Sequence, residues 1–110
     1  MLFVTAQHFF SEAAGQKRLD RQEEIAYAAR IQAGDADARA ALTQSYLPFV
    51  AASVKRVSTG EPSLELICRF VCTLEREVEA FDFSQESEPF THRLSLALRK
   101  TTAEYIADYP

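Results

Sequence analysis

The stretch with the most distinctive surface chemistry runs from Ser63 to Asp82 and interleaves carboxylates with both cysteines of the chain. At 100° per residue, a helix would place five of these side chains on one stripe: Glu65, Cys68, Cys72, Glu75 and Glu79. Residues 65 to 88 contain seven acidic and two basic side chains. Such a surface attracts a basic partner, but the solvated face of an ordinary helix has the same composition, and both interpretations stay open.

The two cysteines indicate neither a disulfide framework nor a zinc site. Cys68 and Cys72 fall on consecutive turns of one predicted helix, where a bridge would constrain little, and no other Cys or His stands at ligand spacing. We interpret both as small apolar side chains at the edge of the core, with a redox-sensitive thiol as the alternative. Without a nucleophile–histidine pair or a phosphate-binding glycine loop, the sequence predicts no enzyme and no cofactor.

The charge distribution argues against a domain that binds nucleic acid mainly through its phosphates. Residues 1–62 carry seven basic and seven acidic side chains, whereas residues 63–110 carry five and nine, for a net charge of −4. Phosphate neutralisation supplies most sequence-independent affinity and needs a basic surface. Three cations near the C-terminus remain candidates for phosphate contacts, although solvated cations are common on helices: Arg93, Arg99 and Lys100.

Helical periodicity runs through the whole chain and predicts an all-α bundle of four to five helices. The first helix ends near Gly15, the second starts at an Asp20 cap, and a long third helix starts at Asp35 and continues to Ser58. Within the third helix, Pro48 predicts a kink without a stop. Apolar residues at steps of three and four predict the core-facing stripe of the Ser63–Asp82 helix: Ile67, Phe70, Val71, Leu74, Val78 and Phe81.

The ends of the chain complete this pattern. A polar loop over residues 83–88 precedes a last helix that begins at Pro89 and turns Phe90, Leu94 and Leu98 inward. The N-terminal helix carries Phe3, Phe9 and Phe10, a face that either closes the core or binds another protein. The N-terminus lacks the features of a secretory signal, and no window is apolar enough to span a membrane, so we expect a cytoplasmic protein.

Three segments resemble region two of bacterial RNA polymerase sigma factors. They are RIQAGD at Arg30–Asp35, YLPFV at Tyr46–Val50 and VEAFD at Val78–Asp82, and they occur in the family's order and at its separation. The resemblance extends over about residues 19–106 and leaves out the N-terminal helix. We therefore divide the chain into an N-terminal helix and linker, residues 1–18, and a sigma region-two-like helical domain, residues 19–110.

The resemblance implies two working surfaces. The helix from Ser63 would dock on a coiled coil of core RNA polymerase, and the last helix would read and melt the minus-ten promoter element with aromatic side chains. Transferred to this sequence, the polymerase-binding residues are Glu65, Cys68, Arg69, Cys72, Glu75 and Glu79. The DNA-binding residues are Arg93, Arg99 and Lys100.

The DNA surface departs from the family pattern. The family's aromatic cluster falls on Arg93, Leu96 and Ala97, and leucine and alanine do not stack on a flipped base as a planar ring does. The sequence therefore predicts a divergent sigma-like protein, or a piece of a longer sigma factor, that binds core polymerase and has weakened promoter melting. The alternative is an adaptor with this fold that binds an anti-sigma factor or another regulator protein and has lost DNA binding. A plain helical scaffold or dimerisation module is the third hypothesis.

Overall fold

The computed structural model describes residues 3–82 and 89–108, and within these ranges the chain forms six α-helices and no strand. The prediction of an all-α bundle is confirmed, with one helix more than expected. The polar loop predicted over residues 83–88 lies outside the described residues. The helices are α1 (Ala6–Ala14), α2 (Arg21–Gln32), α3 (Ala36–Ser45), α4 (Leu47–Val57), α5 (Leu64–Ala80) and α6 (Phe90–Asp108).

Side-chain caps fix where the helices begin. Asp20 and Glu23 form a full capping box, in which the Glu23 N–H donates to Asp20 Oδ1 at 2.8 Å and the Asp20 N–H donates to Glu23 Oε1 at 3.2 Å. Asp35 caps α3 by accepting from the Ala38 N–H, and Ser63 caps α5 by accepting from the Leu66 N–H. These caps satisfy amide groups that have no partner inside the helix, and they lie at the positions that the sequence predicted.

The extra helix arises because the expected kink at Pro48 is a break between α3 and α4. At Tyr46 the N–H bonds to the carbonyl of Thr43, so the last turn of α3 tightens, and a new helix begins at Leu47. Pro48 then stands in the first turn of α4, where its missing N–H costs nothing because that group has no helical partner. The continuous periodicity across the break misled the prediction.

The centre of the bundle is α5, which packs against α1, α3, α4 and α6. Its predicted apolar stripe is buried, apart from Phe81, which is half-buried. Phe3 and Phe9 of the N-terminal segment are also buried, so this face closes the core. Two large apolar side chains, one on α2 and one on α4, are substantially exposed: Ile25, at 40%, and Val57, at 41%. No described helix is long and apolar enough to cross a membrane.

Replacing Asp35 by asparagine should reduce the loss of stability in acid. The N–H of Ala38 and the guanidinium of Arg30, 2.9 Å from the carboxylate, lower the pKa of Asp35 below its ordinary value of 3.8. Because the folded-state pKa is depressed, the stabilisation is complete above the unfolded-state pKa and is lost as the pH falls through the folded-state pKa. Urea midpoints of wild type and Asp35→Asn should therefore converge below about pH 4. A constant difference between them from neutral to acidic pH would contradict this assignment.

Candidate functional site

The outer face of α5 comprises the six residues transferred from the resemblance: Glu65, Cys68, Arg69, Cys72, Glu75 and Glu79. The structure brings all six onto one exposed side of the central helix. The three glutamates and Cys72 are exposed, whereas Cys68 and Arg69 are half-buried. Both cysteines are free thiols. Cys68 therefore matches the interpretation as a filler at the core edge, but Cys72 does not.

Arg69 links this face to the end of α6. Its Nη2 lies 2.7 Å from Asp108 Oδ2 and 3.4 Å from Glu65 Oε1, and its guanidinium is 5.5 Å from the centre of the Tyr105 ring. Hydrogen bonding to Asp108 and, secondarily, to Glu65 raises the pKa of Arg69. The hydroxyl of Tyr105 in turn lies 2.9 Å from that of Ser63, the cap of α5. Arg69 thus serves the packing of α6 on α5 as well as the outer face.

A broad groove of about 550 Å³ runs along the outer face between α5 and α6. On the α6 side it is bounded by Thr101 and Glu104, which the sequence reasoning did not assign to this surface. The hydroxyls of Thr73 and Thr101 lie 2.7 Å apart and join the two helices beneath the groove. The residue spacing within α6 places Thr101 on the same side as the buried residues of that helix. Nothing in the sequence, however, predicts that Thr101 pairs with Thr73. The lining is Glu65, Cys68, Arg69, Cys72, Thr73, Arg76, Thr101 and Glu104.

The three predicted DNA-binding cations do not share one surface. Arg93 Nε lies 2.6 Å from Glu77 Oε2, and the guanidinium is 5.9 Å from the centre of the Phe81 ring. Lys100, seven residues further on, projects on the same side of α6. Arg99 projects on a different side, where it lines a groove against α4. Arg93 is therefore bound within the chain, and the other two cations are exposed but separated.

The aromatic side chains near α6 are largely packed inside the bundle. Phe90 is buried, with ring centres 4.7 Å from Tyr46 and 5.2 Å from Phe81. At the positions where the family carries its aromatic cluster, Leu96 is 51% exposed and Ala97 is half-buried. These two positions are accessible, but they carry no ring on which a base can stack.

A second cavity, which the sequence did not predict, lies between α2, the junction of α3 with α4, and the start of α6. It measures about 290 Å³ and is lined by Arg18, Arg21, Glu24, Tyr46, Pro89, Phe90 and Thr91. Burial and the neighbouring carboxylate of Glu24, which accepts a hydrogen bond from the phenol, raise the pKa of Tyr46 well above its ordinary value. Tyr46 is therefore a neutral hydrogen-bond donor at physiological pH. Among residues 3–82 and 89–108, no group of three or more His, Cys, Asp or Glu side chains is placed to hold a metal ion.

Sequence comparison relates this helical bundle to bacterial sigma factors. The chain is 36% identical over 91 residues to RNA polymerase sigma factor SigA of Listeria monocytogenes and, equally, to SigA of Listeria innocua. The match covers 82% of this chain but only 24% of each relative, so the chain spans about a quarter of their length. No family model matches the sequence. The similarity supports a sigma-factor-like relationship.

Proposed function

We propose that this chain is a divergent member of the sigma-factor family, equivalent to region two, and that it acts in transcription initiation by binding core RNA polymerase in the cytoplasm. The carrying observation is the similarity to SigA over 91 residues. In a chain of 110 residues, a match of that length necessarily includes α5. The proposal describes a binding protein and assigns it no catalysis.

The docking surface in this proposal is the outer face of α5. The opposite side of the helix is held in the core by Ile67, Phe70 and Leu74, so the outer face is presented rigidly. Glu79 lies 3.8 Å from Arg39, and Glu65 lies 3.4 Å from Arg69. Exposed ion pairs of this kind contribute about 0–1 kcal/mol. Cations of a partner can therefore replace them at little cost, which suits an acidic surface that meets a basic coiled coil.

Reversing two charges on this face should strongly reduce capture of polymerase. We expect the tagged variant Glu65→Lys/Glu75→Lys to retain at least roughly tenfold less core polymerase than wild type. The reason is that like charges would then meet across the interface. The matched control is Glu12→Lys/Asp37→Lys, which makes the same change in net charge at exposed positions of α1 and α3. The control should bind as wild type does, and circular dichroism should show all three proteins folded.

Two results would contradict parts of this proposal separately. Undiminished capture by Glu65→Lys/Glu75→Lys would exclude the outer face of α5 as the docking surface. Failure of the wild type to bind core polymerase at all would exclude the function itself.

The condition of the DNA surface favours a second candidate function, an adaptor that binds an anti-sigma factor or another regulator and no longer binds DNA. Arg93 is held by Glu77, and Leu96 and Ala97 replace the family's aromatic side chains. An adaptor needs only the outer face of α5, which remains exposed. A wild-type chain that binds a purified anti-sigma factor through this face, and binds no polymerase, would establish this alternative.

A further inference from the structure

The broad groove between α5 and α6 brings both thiols of the chain to one opening. Cys68 and Cys72 line this groove, where Cys72 is exposed and Cys68 is half-buried. They stand four residues apart on α5, so they project from the same side of the helix on consecutive turns. Both are free cysteines. The groove therefore offers a pair of neighbouring thiols to a ligand from solvent.

The spacing of the two thiols suits a bridging ion better than a disulfide. The Cβ atoms of residues four apart on a helix lie about 5–6 Å apart. A disulfide needs Cβ atoms about 3.5–4.5 Å apart, so closing one here would distort α5. An ion bonded to both sulfurs at about 2.3 Å, the zinc–thiolate distance, holds them up to ~4.6 Å apart. An ion can therefore join the two sulfurs while the helix keeps its geometry.

The ligand set decides which kind of ion fits. Within the part of the chain that the structure describes, no third His, Cys, Asp or Glu side chain joins the two thiols in a metal-binding group. Structural zinc takes four ligands in a tetrahedron, so this pair does not meet its requirement. Thiolates are soft ligands that select Cu(I), an ion that two sulfurs in a near-linear arrangement satisfy. The pair thus matches a two-coordinate soft ion.

We propose that Cys68 and Cys72 bind one Cu(I) ion between them as a pair of thiolates. On binding, each thiol releases its proton to solvent and one bond forms from each sulfur to copper. Neither copper nor sulfur changes its oxidation state. Glu65 and Glu104, which line the same groove, attract the incoming cation.

Arg76 lies where it can stabilise the product, because two thiolates and one Cu(I) together carry one negative charge. Arg76 also lines the groove and projects one turn beyond Cys72 on the same side of α5. Its Nη2 lies 3.4 Å from the hydroxyl oxygen of Thr73, and no carboxylate of residues 3–82 and 89–108 forms an ion pair with it. A guanidinium at this position offsets the negative charge of the bound pair.

Copper binding goes beyond the proposed function and does not depend on it. The two thiols lie on the outer face of α5, but an ion needs no polymerase in order to bind there. Occupancy is therefore measured on the isolated full chain, so a failure to bind copper is distinct from a failure to bind polymerase.

The test is an anaerobic titration of the reduced chain with Cu(I), in competition with a chromogenic Cu(I) chelator. We expect the wild type to take one ion per chain from the chelator and to gain the ultraviolet absorption of a copper–thiolate bond. Cys68→Ser and Cys72→Ser should each bind at least about a hundredfold more weakly, since residues that only support metal ligands already change affinity by about 10- to 100-fold. Sedimentation should show that the loaded chain is a monomer.

Two further variants form a matched pair that tests the spacing. Cys72→Ser/Arg76→Cys and Cys68→Ser/Arg76→Cys each keep two thiols on α5 and each lose Arg76. In the first the thiols stand eight residues apart, about 12 Å along the helix, which is too far for one ion to bridge. In the second the spacing of four is restored one turn further on. We expect the first to bind as weakly as Cys72→Ser and the second to retain tight binding, with circular dichroism showing that both are folded.

Three results would overturn the proposal. The first is a wild-type chain that takes no copper from the chelator. The second is equal Cu(I) affinity in the wild type and in Cys72→Ser/Arg76→Cys, because the spacing of the thiols would then be irrelevant. The third is a loaded species with two chains per ion, in which the copper would join thiols of different chains.

Discussion

Replacing Phe9 by alanine should lower the free energy of unfolding by about 3–5 kcal/mol, the usual cost of removing a buried aromatic side chain. Phe9 is fully buried, and its ring packs edge-on against Phe3 and Phe10 at centre distances of 5.2 and 5.1 Å. Domains of this size have a total stability of about 5–15 kcal/mol. The loss is therefore about a fifth of the total or more, and urea unfolding followed by circular dichroism should show it plainly.

Phe10→Ala provides the matched control on the same helix. Phe10 is half-buried and lies beneath the ammonium of Lys55, 5.0 Å from the ring centre, so its removal should cost clearly less. This pair of variants also tests the division of the chain at residue 18. If the domain of residues 19–110 folded independently of the N-terminal helix, Phe9→Ala would leave its urea midpoint unchanged.

If the chain binds core polymerase as proposed, replacing Leu96 by tryptophan should strengthen binding of a minus-ten single strand to that complex. Leu96 is 51% exposed and stands where the sigma-factor family carries an aromatic side chain, so a large ring fits there without displacing the core. Stacking on one base contributes about 1–3 kcal/mol, which corresponds to roughly 5- to 150-fold in affinity. Fluorescence of a labelled promoter strand, titrated with the complex, measures this gain.

Ile106→Trp is the control for this gain of binding. Ile106 lies on the same helix at 63% exposure, but outside the positions that match the aromatic cluster. The control should leave affinity for the strand unchanged. If wild type already bound and melted the promoter strand as strongly as Leu96→Trp, weakened melting would be the wrong interpretation of Leu96 and Ala97.

Local signals in the sequence were sufficient to predict most of the helix boundaries and the central helix. Asp20, Asp35 and Ser63 each cap a helix through a side chain that reaches only three residues along the chain. The stripe of α5 is equally local, because residues three and four apart share one side of any helix. Such features depend on neighbours in sequence, so they were predictable without the fold.

The division of the third predicted helix was less accessible to sequence reasoning. The apolar period continues through Leu42, Tyr46 and Val50, all of which are buried, so the pattern alone does not distinguish a kink from a break. The choice depends on the N–H of Tyr46, which bonds to Thr43 in a tightened turn. This geometry is decided by packing around Tyr46, not by local propensity.

The candidate surfaces were predicted in part, for a similar reason. The exposed carboxylates of α5 follow from helical spacing, but the partners of Arg69 and Arg93 lie 39 and 16 residues away in the chain. No short-range pattern indicates that Asp108 and Glu77 occupy these two cations. The groove that Arg99 lines likewise requires the packing of α6 beside α4, which only the tertiary structure provides.

The exposed thiol of Cys72 gives the outer face of α5 a natural attachment point for covalent chemistry. A maleimide dye reacts with accessible thiols, and in a Cys68→Ser background Cys72 is the sole cysteine of the chain. An environment-sensitive fluorophore attached there would sit between Glu65 and Glu79 on the face. Its emission would change when any macromolecule covers that side of the helix. The labelled chain would therefore report directly whether a partner is bound to the outer face of α5.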